Sequence, residues 1–519
     1  MLEAVQNPPI RFEAPVSGLK VLLPTLADFL FAALVVWQFV TGYGWIGLLG
    51  DGDTGWHIRT GDLILRTGSV PQVDPFSFSK AGQPWFAWEW LSDVALSLLH
   101  TALGLKGVVL MAGVVLGLTT MLLFRRMMWE GGNLFIALLA TLLANGSTSI
   151  HFLARPHIFT MLLMVTALWI LERDRRRPDR WVWALVPLSA LWTNLHGGFL
   201  ALIACLGLVA AGSLAEAFLA GRSYQPFRRY TLVGVACAAA TLLNPYGYKL
   251  HGHIFDYMRS SWIVDNVQEF KSPDFRGENM RQFEVLLFAA LLLVAYMIWK
   301  KRYADSLLIL FWAQAALTSA RHAPIFALVA APILVRELSR MWANWSAQAT
   351  RTSVAGILRD LSRDFSKEPN RASVWLPLIV VALAVIPGQR WPLDFPDIKF
   401  PVKTVTEHAA LLAPESGPMP RILASDQLAD YLIYRLYPRV RVFFDGRSDF
   451  YGPALGKEYQ EMSSVQFRWE QHIEKHRFDL AMLPIDWSLT QMLKRDPRWR
   501  IVKDDGVVVL FERKRRMPA

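Results

Sequence analysis

Long apolar runs alternate with short charged segments over the first three quarters of the chain. A helix rises 1.5 Å per residue, and a bilayer's hydrocarbon core is about 30 Å thick. Runs that cross or nearly cross that distance lie near 21–41, 107–124, 133–149, 156–171, 181–195, 198–220, 230–243, 283–299, 306–320, 322–335 and 374–388. They predict about eleven transmembrane helices. Trp88–Leu105 is a further apolar stretch, but Glu89, Ser92, Asp93 and His100 gather on one side of it. That pattern predicts a juxtamembrane helix lying in the interface.

Beyond Pro387 the pattern changes. Residues 389–519 alternate apolar strand-like runs with amphipathic helix patterns. Arg421–Ala424 precedes Asp426–Tyr437, Val440–Asp445 precedes Tyr459–His476, and Leu480–Pro484 precedes Leu489–Lys494. A hairpin pattern over Arg500–Arg513 turns at Asp504-Asp505-Gly506. The expected fold is an all-α polytopic membrane bundle plus a small C-terminal α/β extracytoplasmic domain. The bundle takes 1–388, with a first outer loop at 43–106 and a cytoplasmic linker at 336–373; the α/β domain takes 389–519.

Composition agrees: 53% of the 519 residues are apolar and 19% are charged, against about 25% charged in a soluble domain. Cys205 and Cys237, the only cysteines, lie in apolar runs and form no disulfide framework. The net charge of +11 follows from topology. Arg125-Arg126, 172–180, 221–230, Lys300–Arg302 and the linker's Arg336, Arg340, Arg351, Arg359, Arg363, Lys367 and Arg371 sit in alternate loops. By the positive-inside rule these face the cytoplasm, as does the N-terminus. The partners implied are membrane lipids; nucleic acid is not needed to explain the charge.

The opposite set of loops carries the candidate chemistry. Eight of the 11 histidines fall there: His57, His100, His151, His157, His196, His251, His253 and His322. So do Asp51, Asp53, Asp62, Asp74, Glu89, Asp93, Glu269 and Asp274, with Asn194, Asn244 and Arg321 at helix ends. The bland account is that outer loops are simply polar. Depth argues further. The runs before and after Arg321-His322 are about 21 Å long, so this junction lies short of the outer surface and must face protein or water. Asn194–Gly198 ends a short run in the same way. A polar cavity in the outer half of the bundle is expected; hairpin tips satisfied by carbonyls are the alternative.

Asp51-Gly-Asp53-Thr-Gly-Trp56-His57-Ile-Arg59-Thr-Gly61-Asp62 follows the first helix directly and opens a short amphipathic helix. One aspartate serves as a cap, or the carboxylates and imidazole act as a general base, a metal site, or both. Arg155, before Pro156 and His157, is either a helix-start residue or an anion ligand. His251 and His253 form an HxH pair without a carboxylate at fixed spacing. Phe444–Asp449 suits a structural turn or a contact at the cavity mouth. Asp28, within the first helix, is expected to bond to a neighbouring helix.

These residues and their order resemble the C-type integral-membrane glycosyltransferases (GT-C), in particular a bacterial member of the mannosyltransferase and aminoarabinose-transferase branches. The architecture is similar across residues 20–390, and the motifs are those at Asp51–Asp62 and Trp85–Asp93. The resemblance implies that an Asp after the first helix is the general base and that a sugar is moved, with inversion, from a polyprenyl phosphate. Asp53 matches that Asp best and Asp51 second. Thr54 stands where the family's common Asp-Glu pair has Glu; His57, Glu89 and Asp93 are nearby instead. Arg155 and Arg321, with His151, His157, His196 and His322 and the helix-end Asn194, become candidates for binding the substrate and its leaving phosphate. Some relatives use a divalent ion and others none; this sequence requires none. The competing readings are a transporter or flippase of a lipid-linked or anionic solute, and a non-catalytic membrane subunit.

Overall fold

The computed structural model describes residues 24–40, 44–277, 279–365, 375–385 and 391–514. Both ends of the first and last apolar runs, Lys367 and Arg371 of the basic linker, Pro387 and the boundary at 388 lie outside the described residues.

Each of the eleven apolar runs contains a helix: Leu26–Val40, Leu105–Trp129, Leu134–Thr148, His157–Arg176, Leu185–Leu195, Leu200–Ala220, Gln225–Ala240, Met280–Trp299, Tyr303–Thr318, Ala323–Ser346 and Trp375–Val385. Among the described residues, five helical stretches are long and apolar enough to cross a membrane: Leu105–Trp129, Leu134–His151, Gly197–Ala220, Met280–Trp299 and Ala320–Ser346. Their outer faces carry side chains that water would not favour, such as Leu292 at 80% exposure and Phe218 at 77%. This is a multi-pass membrane protein.

Two buried ion pairs show how the bundle carries charge. Asp28 is bound by Arg125 at 2.8 Å, the neighbouring-helix contact expected of it. The helix Ala323–Ser346 continues through Arg336, which is buried rather than opening a solvated linker. Its guanidinium reaches Asp305 at 2.6 Å, Glu337 at 3.0 Å, Glu172 at 3.1 Å and Glu130 at 3.3 Å. Several carboxylates around one guanidinium offset a desolvation cost that a lone cation could not bear.

The C-terminal segment folds around four strands, β1 (Ile422–Ala424), β2 (Leu480–Pro484), β3 (Trp499–Asp504) and β4 (Val508–Arg513), in the order β1-β2-β4-β3. β1 and β2 are parallel, with Ile422 opposite Leu480; β4 runs antiparallel to both β2 and β3. The hairpin turns at Gly506, where φ is 82°. Two expectations change. Val440–Asp445 forms isolated bridges rather than a strand, because its backbone is shared: Val442 pairs with Ile422 on one side and with Ser77 of the first loop on the other. The Tyr459–His476 pattern breaks into helices ending at Ser463 and starting at Trp469, with Val465 at φ 54° between them.

Val442 therefore stitches the two parts together, its N–H donating to Phe76 O at 3.0 Å and its carbonyl accepting from Phe78 N at 2.9 Å. Arg447 clamps the same seam. It contacts Asp445 at 2.6 Å and Asp74 at 2.8 Å, under the rings of Trp85 (4.6 Å) and Phe76 (5.0 Å). The Phe444–Asp449 cluster is thus a buried structural turn with an ion pair. Replacing Arg447 with Ala strands two buried carboxylates and is expected to cost about 3–5 kcal/mol. A thermal melt of the detergent-solubilised protein checks this; an unchanged midpoint would remove the clamp.

Candidate functional site

The helix Asp53–Thr67 starts immediately after the first loop turns back, and it packs between Trp90–Leu103 and Asp426–Leu436. Trp90–Leu103 buries Ser92, Asp93 and Ser97 and leaves Leu98 and Leu103 exposed. That polarity is inverted relative to a soluble helix and suits one lying against lipid. On the other side, Gln427, Asp430 and Tyr434 form one helical stripe. Gln427 Oε1 accepts from Gly52 N at 2.7 Å, and Tyr434 O accepts from Arg59 Nε at 2.7 Å. Gly55 permits the approach: a Cβ there would lie 2.7 Å from Tyr434 Cβ and 2.8 Å from Asp430 O.

Asp51 and Asp53 share one cation, Arg155. Its Nη1 lies 2.8 Å from Asp51 Oδ2 and its Nη2 lies 2.6 Å from Asp53 Oδ2. Asp51 also accepts the Asp53 N–H through Oδ1 at 2.9 Å, the capping role open to one of the two. Asp53 is deeply buried. Burial pushes its carboxyl up, to about 7, against the pull of Arg155. Its Oδ1 is buried with no conventional donor, and so is Oδ2 of Asp430, in the helix Asp426–Leu436 that follows β1.

A second group centres on Glu89. Asp93 holds His57 through Nδ1 at 2.6 Å, which turns Nε2 toward Glu89 Oε2 at 3.6 Å. From the other side, His196 Nδ1 accepts from Gly198 N at 2.9 Å and meets Thr160 Oγ1 at 2.8 Å. Its Nε2 therefore carries the hydrogen, facing Glu89 Oε1 at 3.4 Å. Both approaches are longer than a made hydrogen bond. Burial raises Glu89 to about 8, opposed by Arg155.

The third group is reached by solvent. Glu269 lies 3.9 Å from both His151 Nε2 and Arg321 Nη1. Burial would push its carboxyl up, but Arg321 and Arg155 pull it down to about 2. Arg321 sits over the Phe270 ring at 4.4 Å, beneath the loop whose Glu269 carbonyl accepts from Ser319 Oγ at 2.9 Å. The hairpin tip is thus covered in part by that loop, with the Arg321 side chain still 23% exposed. His157 donates through Nε2 to His151 O at 2.8 Å, beside this group.

Two expected site residues are turned elsewhere. Asn194 accepts from Trp90 Nε1 at 2.7 Å and donates to the Ala190 and Leu243 carbonyls, so it braces helices. His322 keeps Nδ1 on Ala315 O at 3.3 Å. The HxH pair diverges as well: His251 Nε2 meets Thr241 Oγ1, and His253 Nε2 meets Asp449 Oδ2 at 2.9 Å. Among the described residues no group of three or more His, Cys, Asp or Glu gathers as a metal site. The facing oxygens of Asp51 and Asp53 are bound to Arg155, so a divalent ion does not fit this donor arrangement without displacing the guanidinium. Sequence reasoning left Glu269 outside the site and missed Asp430. The signal for Asp430 was a lone carboxylate within Leu428–Tyr434, an otherwise apolar or aromatic helix segment that is buried throughout.

No family model matches the sequence, and no curated protein matches it either. Among solved structures, the chain is similar to the oligosaccharyltransferase of Archaeoglobus fulgidus tethered to an acceptor peptide, with a TM-score of 0.53 over 90% of this chain and 69% of that one at 14% identity. The apo form of the same enzyme gives 0.51 with the same coverage. ArnT from Cupriavidus metallidurans gives 0.49 over 93% and 97% at 13% identity. The chain shares the fold of that oligosaccharyltransferase. At 14% identity the likeness is one of architecture; what the site does rests on its own residues.

Glu89 supplies a test of the site's electrostatics. Its pKa is raised on folding, so the folded state holds a proton that the unfolded state releases. That stability is complete below the ordinary Glu value and is lost as pH rises toward about 8. Glu89→Gln cannot titrate, and its melting temperature is expected to fall less than that of wild type between those limits. Parallel melting-versus-pH curves for the two proteins would contradict the assignment.

Proposed function

We propose that the protein is a membrane glycosyltransferase that moves a sugar from a polyprenyl-phosphate-linked donor to an acceptor on the extracytoplasmic side of a bacterial inner membrane. The observation that carries this reading is the buried Asp53–Arg155 pair directly after the first helix, beside the Glu89 and Glu269 groups. The N-terminus and the Arg- and Lys-rich loops face the cytoplasm, which puts the site on the opposite face. Likeness to an oligosaccharyltransferase with a tethered acceptor peptide supports transfer as the class of reaction.

In this reading Asp53 takes the proton of the acceptor hydroxyl as that oxygen bonds to the anomeric carbon. The bond from that carbon to the phosphate oxygen breaks, the electron pair leaves with the polyprenyl phosphate, and the centre inverts. Arg155 and Arg321 are the cations that stabilise the leaving phosphate, with His151 and His196 as hydrogen-bond donors and His157 holding the His151 backbone in place. Asp51 holds Arg155 in place, and Asp93 orients His57 toward Glu89. The acceptor replaces Arg155 at Asp53 Oδ2, which frees the guanidinium for the phosphate as the carboxylate turns to the hydroxyl.

Asp53→Asn keeps the size of the side chain and removes the base. Transfer by the purified protein is expected to fall by a factor of about 10²–10⁴ with expression and a cooperative melt retained, at a midpoint lowered by the loss of the Arg155 pair. Undiminished transfer from a polyprenyl-linked sugar would refute the role of Asp53.

A further inference from the structure

Asp53 and Asp430 come from opposite ends of the chain, and their carboxyls meet at Gly446. A Cβ on Gly446 would lie 2.0 Å from Asp53 Oδ1 and 2.8 Å from Asp430 Oδ2. Those two oxygens are the ones buried without a conventional donor. Asp430 is fully buried and Asp53 is 4% exposed. Two bare carboxylates cannot both hold full charge in such a place, and one proton between them turns repulsion into a hydrogen bond.

The surroundings decide which carboxyl keeps the proton. Asp53 has Arg155 at 2.6 Å on its other oxygen. Asp430 Oδ1 accepts from Gly446 N at 3.1 Å, and among the described residues no cation pairs with Asp430. Of the remaining neighbours, Asp51 and Asp426 push Asp53 up and Asp445 pushes Asp430 up, so Arg155 is the group that separates the two. Asp51 and Glu89 face Asp53 from the loop side, with Asp51 tied to Arg155. Asp426, Asp445 and Tyr459 lie on the C-terminal side, with Asp445 tied to Arg447.

We infer that the C-terminal domain supplies a positioning residue to the site: the Asp430 carboxyl keeps a proton, donates it in a hydrogen bond to Asp53 Oδ1, and fixes Asp53 as the carboxylate of the pair. Asp53 is then aimed with Oδ2 outward, toward Arg155 and the acceptor. Burial and the facing carboxylates raise the Asp430 pKa, in agreement with this geometry. The inference deepens the proposed function and rests on Asp53 being the base. It makes the C-terminal domain part of the reacting unit rather than an appendage.

Infrared difference spectroscopy on the full-length protein in lipid nanodiscs, with no substrate added, reads protonated carboxyls directly. Glu89 also keeps its proton near neutrality, so the readout is the difference between proteins. Near pH 7, where an ordinary aspartic acid is ionised, the wild-type minus Asp430→Asn difference is expected to contain a protonated-carboxyl component that the wild-type minus Asp51→Asn difference lacks. Should Asp430→Asn not fold, Asp53→Asn serves: Asp430, freed from a facing carboxylate and given an amide donor, ionises at lower pH and the same component is lost. A difference without that component for either variant overturns the pairing, and Asp53 can still be the base. Conversely, Asp53→Asn that transfers sugar like wild type removes the base and leaves the infrared result standing.

Discussion

Everything at this end of the molecule depends on how buried charge is balanced. Near a membrane face an isolated ion is costly, so each ionised group is held by a counter-charge or gives up its charge. Arg155 is where the two solutions meet. It spans Asp51 and Asp53, and its field reaches Glu89 and Glu269. Glu89 sits between two imidazoles without a cation on it and is pushed toward neutrality, whereas Glu269, partly exposed and facing Arg321, is held ionised. Three carboxyl environments thus arise from one cluster, which is the kind of divergence that separates acid from base roles.

The fold exists to bring those groups together. A short helix after the first apolar run carries Asp53 and His57 one turn apart. The interfacial helix lays Asp93 beside it, and the hairpin tip at Arg321 supplies a cation from far along the chain. The C-terminal sheet contributes through the helix that follows β1. Arg447 and Val442 fasten that domain to the first loop so that Asp430 cannot drift from Asp53.

Much of this was legible in residue order. Each apolar run became a helix because the period and length of the pattern left few alternatives, and the inverted polarity of Trp90–Leu103 could be read from Glu89, Ser92 and Asp93. The strand pattern of β1, β2 and the closing hairpin was equally plain. Val440–Asp445 looked like a further strand because its alternation is real; its backbone is instead divided between the sheet and the first loop, a tertiary choice that no local pattern encodes. Asn194 and His322 looked like site residues because they end helices on the right face, yet hydrogen bonds to Trp90 and to Ala315 point them away. Asp430 was hidden for the opposite reason: its partner lies 377 positions earlier in the chain (430 less 53), beyond the reach of spacing.

The central claim is that Arg155 and Asp53 are one energetic unit, and a double-mutant cycle measures that coupling. The single variants Arg155→Met and Asp53→Asn and the double variant would be compared with wild type by chemical or thermal unfolding in one detergent. The account predicts non-additivity of about 2–3 kcal/mol, the double variant being less destabilised than the sum of the singles. Effects that simply add would show that the two groups do not hold each other, and the site as described would not exist.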